Sequence, residues 1–259
     1  MKDILDGLEA IESTYGVRIL FAVESGSRVW GFHSPNSDFD VRFIYVNAPA
    51  YYLSINDRAD CIDNTPFNTE IYDFSGWCLR KSMQLFKKSN PSLFEWFGSP
   101  VIYISPDDTI KRLIEIRRTF FNPQSAMYHY LHMAIGNYKQ YLKNDMVRVK
   151  KYFYVLRPLL ACDFIMRYHY DPPIDFEILM EHYLKHEDFP LAEVLKLLEL
   201  KRSGAELGMA AQIPTVNAWI EKAIAFYEQK ASRMPTKQAD LGELNYLFCN
   251  SVLRQRISS

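Results

Sequence analysis

Two acids one residue apart, Asp38 and Asp40, are the residues best placed to do chemistry, and a Gly-Ser pair, Gly26-Ser27, lies a short loop before them. In a strand, side chains at i and i+2 share a face, so the two carboxylates would stand side by side. Like charges held that close repel unless neutralised, and a hard divalent cation such as Mg2+ does so most simply. Phe39 between the acids and the largely apolar run Val41 to Val46 place both at the start of a buried strand, where an uncompensated charge is costly. Gly26 lets the chain turn tightly towards a ligand, and Ser27 offers a hydroxyl and, from a first helical turn, its backbone N–H, so a triphosphate there would meet unsatisfied donors. Taken alone, the pair reads as an ordinary strand-to-helix turn capped by Ser27; the neighbouring acids turn the reading towards phosphate.

The elements that must hold these residues follow from periodicity. Ile4, Leu5, Leu8 and Ile11 predict an amphipathic helix over 3–15 ended by Gly16, and the run from Arg18 to Val23 has the length of a buried strand. His33 to Ser37 is a loop by composition, and 38–46 is a strand by its aromatic and β-branched content. The next strand, expected over 68–74, contains Glu70 and Asp73, which would point to opposite faces. A helix over 76–88 places Cys78, Leu79, Ser82, Met83 and Phe86 inward and Arg80, Lys81, Lys87 and Lys88 outward. Arg80 and Lys81, close to Asp73 in sequence, are candidates to meet phosphate. Asn90-Pro91 stops that helix, Ser92 with Glu95 forms a capping box for the next, and 101–104 is another short strand.

After residue 105 the pattern turns helical, with windows at 106–120, 123–143, 145–169, 175–185, 190–201, 214–232 and 240–256. The fold class is therefore α/β (α+β): a core of residues 1–105 with a short mixed sheet flanked by helices, then an all-helical domain over 106–259. The densest stretch of the second part, 146–162, sets Arg148, Lys150, Lys151 and Arg157 among Tyr152, Phe153 and Tyr154. A helical lobe facing the acids would supply Lys150 or Lys151 to phosphate and Tyr152 or Tyr154 to a base. Rings at helical spacing also serve as core, which is the competing reading of each tyrosine.

Thirty basic and 31 acidic side chains leave a formal net charge of −1 over 259 residues, which argues against non-specific coating of nucleic acid. Cys61, Cys78, Cys162 and Cys249 show no CxxC pairing and read as reduced thiols. His129 with His132 and His182 with His186 share helix faces but match no zinc motif, so they read as packing or surface residues. The acidic N-terminal segment lacks an apolar signal core and no run is long enough to span a bilayer, so a cytoplasmic protein with no membrane partner is expected.

Gly-Ser followed by Asp-x-Asp at the start of an apolar strand is similar to the signature of the DNA polymerase beta-type nucleotidyltransferase superfamily. The fuller wording GSRVWGFHSPNSDFDVRFIYV, with GWCLRKSMQLFKKSNPSLFEWFGSPVIY and KKYFYVLRPLLAC, resembles a narrower bacterial and phage family within it, the RNA repair pathway (RlaP-like) family. The resemblance covers most of residues 17–170 and implies a nucleotidyltransferase core in residues 1–105. It places an acid just before the Ser-Gly-Trp turn, which selects Asp73 as third carboxylate and candidate general base with Glu70 in reserve; Cys78 departs from the family pattern, which has an acid there. The implied reaction has Asp38, Asp40 and Asp73 holding two Mg2+ ions, with Mn2+ as the alternative. Gly26, Ser27, Arg28, Ser37, Arg80, Lys81, Lys150, Lys151 and Tyr152 form the implied NTP site. An acceptor hydroxyl attacks the α-phosphorus and pyrophosphate leaves. The family name points to an RNA 3′ end as acceptor; a protein side chain, a small molecule or a non-catalytic, antitoxin-like nucleotide-binding module fit the same residues.

Overall fold

The computed structural model describes residues 1–56, 58–183, 188–204, 209–237 and 240–254. Helix α1 (Lys2–Tyr15) ends at Gly16, whose left-handed φ of 61° lets its N–H reach the Glu12 carbonyl. Strand β1 (Arg18–Ser25) is followed by a 3-10 turn, Gly26–Arg28, and then by β2 (Phe39–Val46). A short helix α2 (Pro49–Tyr52) and strand β3 (Cys61–Ile62) precede β4 (Tyr72–Cys78), α3 (Leu79–Lys87), α4 (Pro91–Phe97) and β5 (Ile102–Ile104). The five strands form one mixed sheet in the order β3-β4-β2-β1-β5. Among the described residues only β2 and β4 of this sheet pair in parallel, which sets the starts of those two strands side by side.

Both sheet faces are buried, which explains why β1 and β2 read as nearly continuous apolar runs. Ile4, Leu8 and Ile11 of α1 cover Val41, Phe43, Tyr45 and Phe74 on one face. The other face, with Leu20, Val23, Ile44 and Val46, opens into a larger core that continues without a break to Val252.

Strand β4 begins later than the expected 68–74 and takes in Gly76, Trp77 and Cys78, which periodicity assigned to a helix. Two side chains account for the shift. Thr69 Oγ1 accepts the amides of Ile71 and Tyr72, and Asn68 Oδ1 accepts that of Phe74, so 68–71 closes into a turn. Gly76 then passes beneath Phe43, whose ring fills the space a Cβ would need. The Ser92–Glu95 capping box does not form: the Asn90 side chain caps α4, accepting the Leu93 amide at 3.2 Å, and Glu95 is buried.

The second part is predominantly helical: α5 (Asp108–Phe120), α6 (Pro123–Tyr141), α7 (Phe153–Tyr168), α8 (Phe176–Tyr183), α9 (Leu191–Arg202), α10 (Pro214–Ala231) and α11 (Leu241–Leu253). It is not all helix. Met146–Arg148 (β6) pairs antiparallel with Met209–Ala211 (β7), and Val149–Tyr152 forms a 3-10 turn, so the window 145–169 becomes helical only at Phe153. Among the described residues no helix is long and apolar enough to cross a membrane.

Candidate active site

The parallel register of β2 and β4 pairs Asp40 with Asp73, Arg42 with Ser75 and Ile44 with Trp77. Alternation then puts Asp40, Arg42, Asp73 and Ser75 on the sheet face that looks towards the helical part. Arg42 joins the acids: Nη2 donates to Asp40 Oδ1 at 2.7 Å and to Asp73 Oδ2 at 2.8 Å. The other Asp73 oxygen accepts from Asn68 Nδ2 at 2.9 Å. Asp38 lies exposed immediately before β2. Burial pushes the Asp40 carboxyl above its usual range; Arg42 and Arg28 pull it back, while Asp38 and Asp73 push it further up. Glu70 lies exposed in the turn before β4, whereas Asp73 is the acid the register brings to Asp40.

The Gly26-Ser27 bend lies against the same acids. Gly26 has φ +66° and is packed so closely on Asp40 that any Cβ would run into its Oδ2. Ser27 Oγ donates to Ser37 Oγ at 3.2 Å, and Ser37 Oγ accepts the Ser34 amide at 3.0 Å, so small hydroxyls cluster where loop and bend meet. Arg28 braces this loop: it donates to the carbonyls of Asp38 at 2.9 Å and Ser37 at 2.6 Å, with its guanidinium 3.7 Å over the Phe39 ring.

Beneath Asp40 lies a residue that sequence reasoning passed over. Glu24, 2% exposed, accepts the Asp40 amide through Oε1 at 2.9 Å and a hydrogen bond from the Tyr103 hydroxyl through Oε2. Burial raises its carboxyl, partly offset by those two hydrogen bonds. Trp30, just past the bend, donates through Nε1 to Glu95 Oε2 at 3.2 Å. Glu95 Oε1 accepts from Arg157 Nη1 at 2.9 Å and from the Tyr130 hydroxyl at 3.0 Å, and the Arg157 guanidinium lies 4.6 Å over the Trp30 ring. A satisfied buried ion pair thus ties the bend to α4, α6 and α7.

The aromatic-basic stretch divides. Tyr154 of α7 meets Trp30 edge-on at 5.9 Å, and its hydroxyl is raised by burial and then by the charges of Asp40 and Asp38, so it shares their field. Lys151 Nζ lies 4.7 Å over Tyr154 and 4.1 Å over Tyr141; burial, then Arg148, lowers its pKa. Lys150 is half-buried in the preceding turn. Tyr152 is 1% exposed, and its hydroxyl accepts the Ile213 amide at 2.8 Å, which makes it a core residue.

Arg80 and Lys81 are not brought to the acids. Five strand residues separate Asp73 from the end of β4, which carries them about 16 Å along the sheet at 3.3 Å per residue. There Arg80 donates to the Tyr52 carbonyl at 2.9 Å and Lys81 pairs with Asp60 at 2.9 Å. Cys78 caps α3 by accepting the Lys81 amide at 3.4 Å. The other thiols are free as well. His182 bonds the Tyr168 hydroxyl at 3.1 Å, while His186 lies outside the described residues.

The carboxylate oxygens of Asp40 and Asp73, set side by side by the strand register, are the donor type a hard cation takes. Among the described residues no three His, Cys, Asp or Glu side chains are gathered closely enough to hold a metal in this arrangement. Arg42 lies between Asp40 and Asp73 and supplies the positive charge they share.

Comparison with known proteins agrees with this architecture at family level. The chain is 44% identical over 250 residues to the Bacillus subtilis (strain 168) protein described as "Uncharacterized protein YcgL", covering 96% of this chain and 95% of that one. It also aligns with the crystal structure of a nucleotidyltransferase-like protein from Exiguobacterium sibiricum 255-15 at 13% identity and a TM-score of 0.35, over 98% of this chain and 81% of that one, a likeness too loose to carry argument. Residues 1–250 match the family described as "RlaP: RNA repair pathway DNA polymerase beta family", and the chain belongs to that family.

Proposed function

We propose that this protein is a metal-dependent nucleotidyltransferase that moves an NMP from an NTP to an acceptor hydroxyl and releases pyrophosphate. The observation that carries the reading is the junction of Asp40 with Asp73 across parallel strands, with the Gly26 bend packed against Asp40. Asp38, Asp40 and Asp73 would hold Mg2+, which when bound supplies charge for the triphosphate and activates the attacking hydroxyl. The Ser27 hydroxyl beside Ser37 and the small-residue bend would receive the phosphates, with Lys150 and Lys151 as the cations of the helical side. Tyr154, in the field of the acids and edge-on to Trp30, replaces Tyr152 as the ring beside the base. Asp73 takes up the acceptor proton, held in place by Asn68.

The family description, which names an RNA repair pathway, supports an RNA 3′ hydroxyl as the acceptor. Incubation with each α-phosphate-labelled NTP, with and without RNA bearing a free 3′ hydroxyl, tests both parts. The proposal expects label on the RNA together with pyrophosphate. Label on the protein itself would move the acceptor to a side chain, and nucleotide binding without pyrophosphate would overturn the transferase reading.

A further inference from the structure

We infer that Arg42 is the resident counter-charge of this site: its guanidinium fills the place of a divalent cation between Asp40 and Asp73 and gives it up when metal and nucleotide arrive. The inference rests on the proposed reading of these acids as a metal site. Arg42 Nη2 takes one oxygen from each acid, Asp40 Oδ1 at 2.7 Å and Asp73 Oδ2 at 2.8 Å. A divalent cation held by Asp40 and Asp73 would compete with Arg42 for these carboxylates. Arg42 is anchored besides by Nη1, which donates to the carbonyls of Asp73 at 2.8 Å and Val41 at 3.3 Å.

Nearby positive charge does not replace it. Arg28 spends its guanidinium on the Ser37 and Asp38 carbonyls and the Phe39 ring. Without Arg42, Asp40 and Asp73 would face each other with no cation between them, a repulsion the partly buried setting makes costly. With Arg42 in place, a divalent ion approaching the same oxygens meets a positive charge at contact distance. The arrangement therefore favours the folded protein without metal and disfavours metal without nucleotide. A triphosphate offers the displaced fork a new partner, since a guanidinium matches phosphate oxygens as well as carboxylates. Metal and nucleotide would then bind with positive coupling, with Arg42 moving from carboxylate to phosphate.

The test is Mn2+ binding, followed by electron paramagnetic resonance with and without a non-hydrolysable NTP analogue, on the wild type, Arg42→Gln and Arg42→Lys. Arg42→Gln is expected to bind Mn2+ alone about tenfold more tightly than wild type, the scale on which one adjacent unit charge moves a carboxylate equilibrium. It should also gain less from the analogue. Its melting temperature should fall in chelator and recover with Mn2+, while that of the wild type moves little. Arg42→Lys keeps the charge and loses the fork, so its Mn2+ affinity should lie between the two; it supplies the comparison should Arg42→Gln not fold. Wild type that binds Mn2+ with Arg42→Gln and Arg42→Lys no tighter overturns the role of Arg42 and leaves the metal site standing. No Mn2+ binding by any of the proteins, with or without analogue, overturns the metal reading itself.

Discussion

Glu24 shows how much of a site is spent on holding other residues still. Its carboxylate is committed to the Asp40 amide and the Tyr103 hydroxyl, so it fixes the start of β2 from below. Burial raises its carboxyl above the ordinary 4.5. An acid whose folded pKa is raised binds its proton more readily folded than unfolded. Its contribution to stability is thus complete below pH 4.5 and is lost as pH rises through the folded value. Glu24→Gln removes that titration, so its melting temperature should decline less than the wild type's between pH 4.5 and neutrality. Asp40 shifts in the same direction, so its own titration leaves Glu24→Gln a reduced slope of the same sign; a variant with the wild-type slope would assign the effect elsewhere. At this scale Asp40 was legible as an acid at the entry to an apolar strand, while Asp38 falls just before β2. Glu24 was not, because its partners lie on other strands and burial is not written in one strand's residue types; nor was the role of Arg42, which joins Asp40 of its own strand to Asp73 of β4. The choice between Glu70 and Asp73 needed the register that sets Asp73 beside Asp40.

The bend after β1 is the element on which the site turns. Gly26→Ala meets two penalties at once, a left-handed φ and a Cβ driven into Asp40 Oδ2. It is expected to cost roughly 1–3 kcal/mol by urea denaturation and to weaken NTP binding in the same preparation. Wild-type stability and affinity together would remove the bend from the site. Strand β4 shows where periodicity misleads: Leu79, Met83 and Phe86 make a sound helical face, but the approach of Gly76 to Phe43 keeps the preceding residues extended. The same strand separates Arg80 and Lys81 from Asp73, since seven or eight positions in sequence become a length of sheet when the intervening chain is extended.

Across the whole molecule, the ion pair of Arg157 and Glu95, 3% and 8% exposed, couples the sheet side to the helices through Trp30 and Tyr130. Arg157→Met leaves Glu95 buried without its cation and is expected to cost about 3–5 kcal/mol in chemical denaturation. The double variant Arg157→Met/Glu95→Gln should recover part of that loss, whereas additive losses would show the two residues to be energetically independent. Most strands of the sheet and the helical run after residue 105 were legible from periodicity, while the mixed strand directions were an expectation of the family resemblance. The β6–β7 ribbon was not, since strands of three residues far apart in sequence leave no pattern of their own. The central claim, that Asp38 and Asp40 carry nucleotidyl transfer, is tested most directly by pyrophosphate release from NTP and RNA with Asp38→Asn and Asp40→Asn beside the wild type, each matched for melting temperature. Release is expected to fall on the order of a thousandfold in either variant, several kcal/mol of transition-state stabilisation. Near-wild-type release from either folded variant would contradict it.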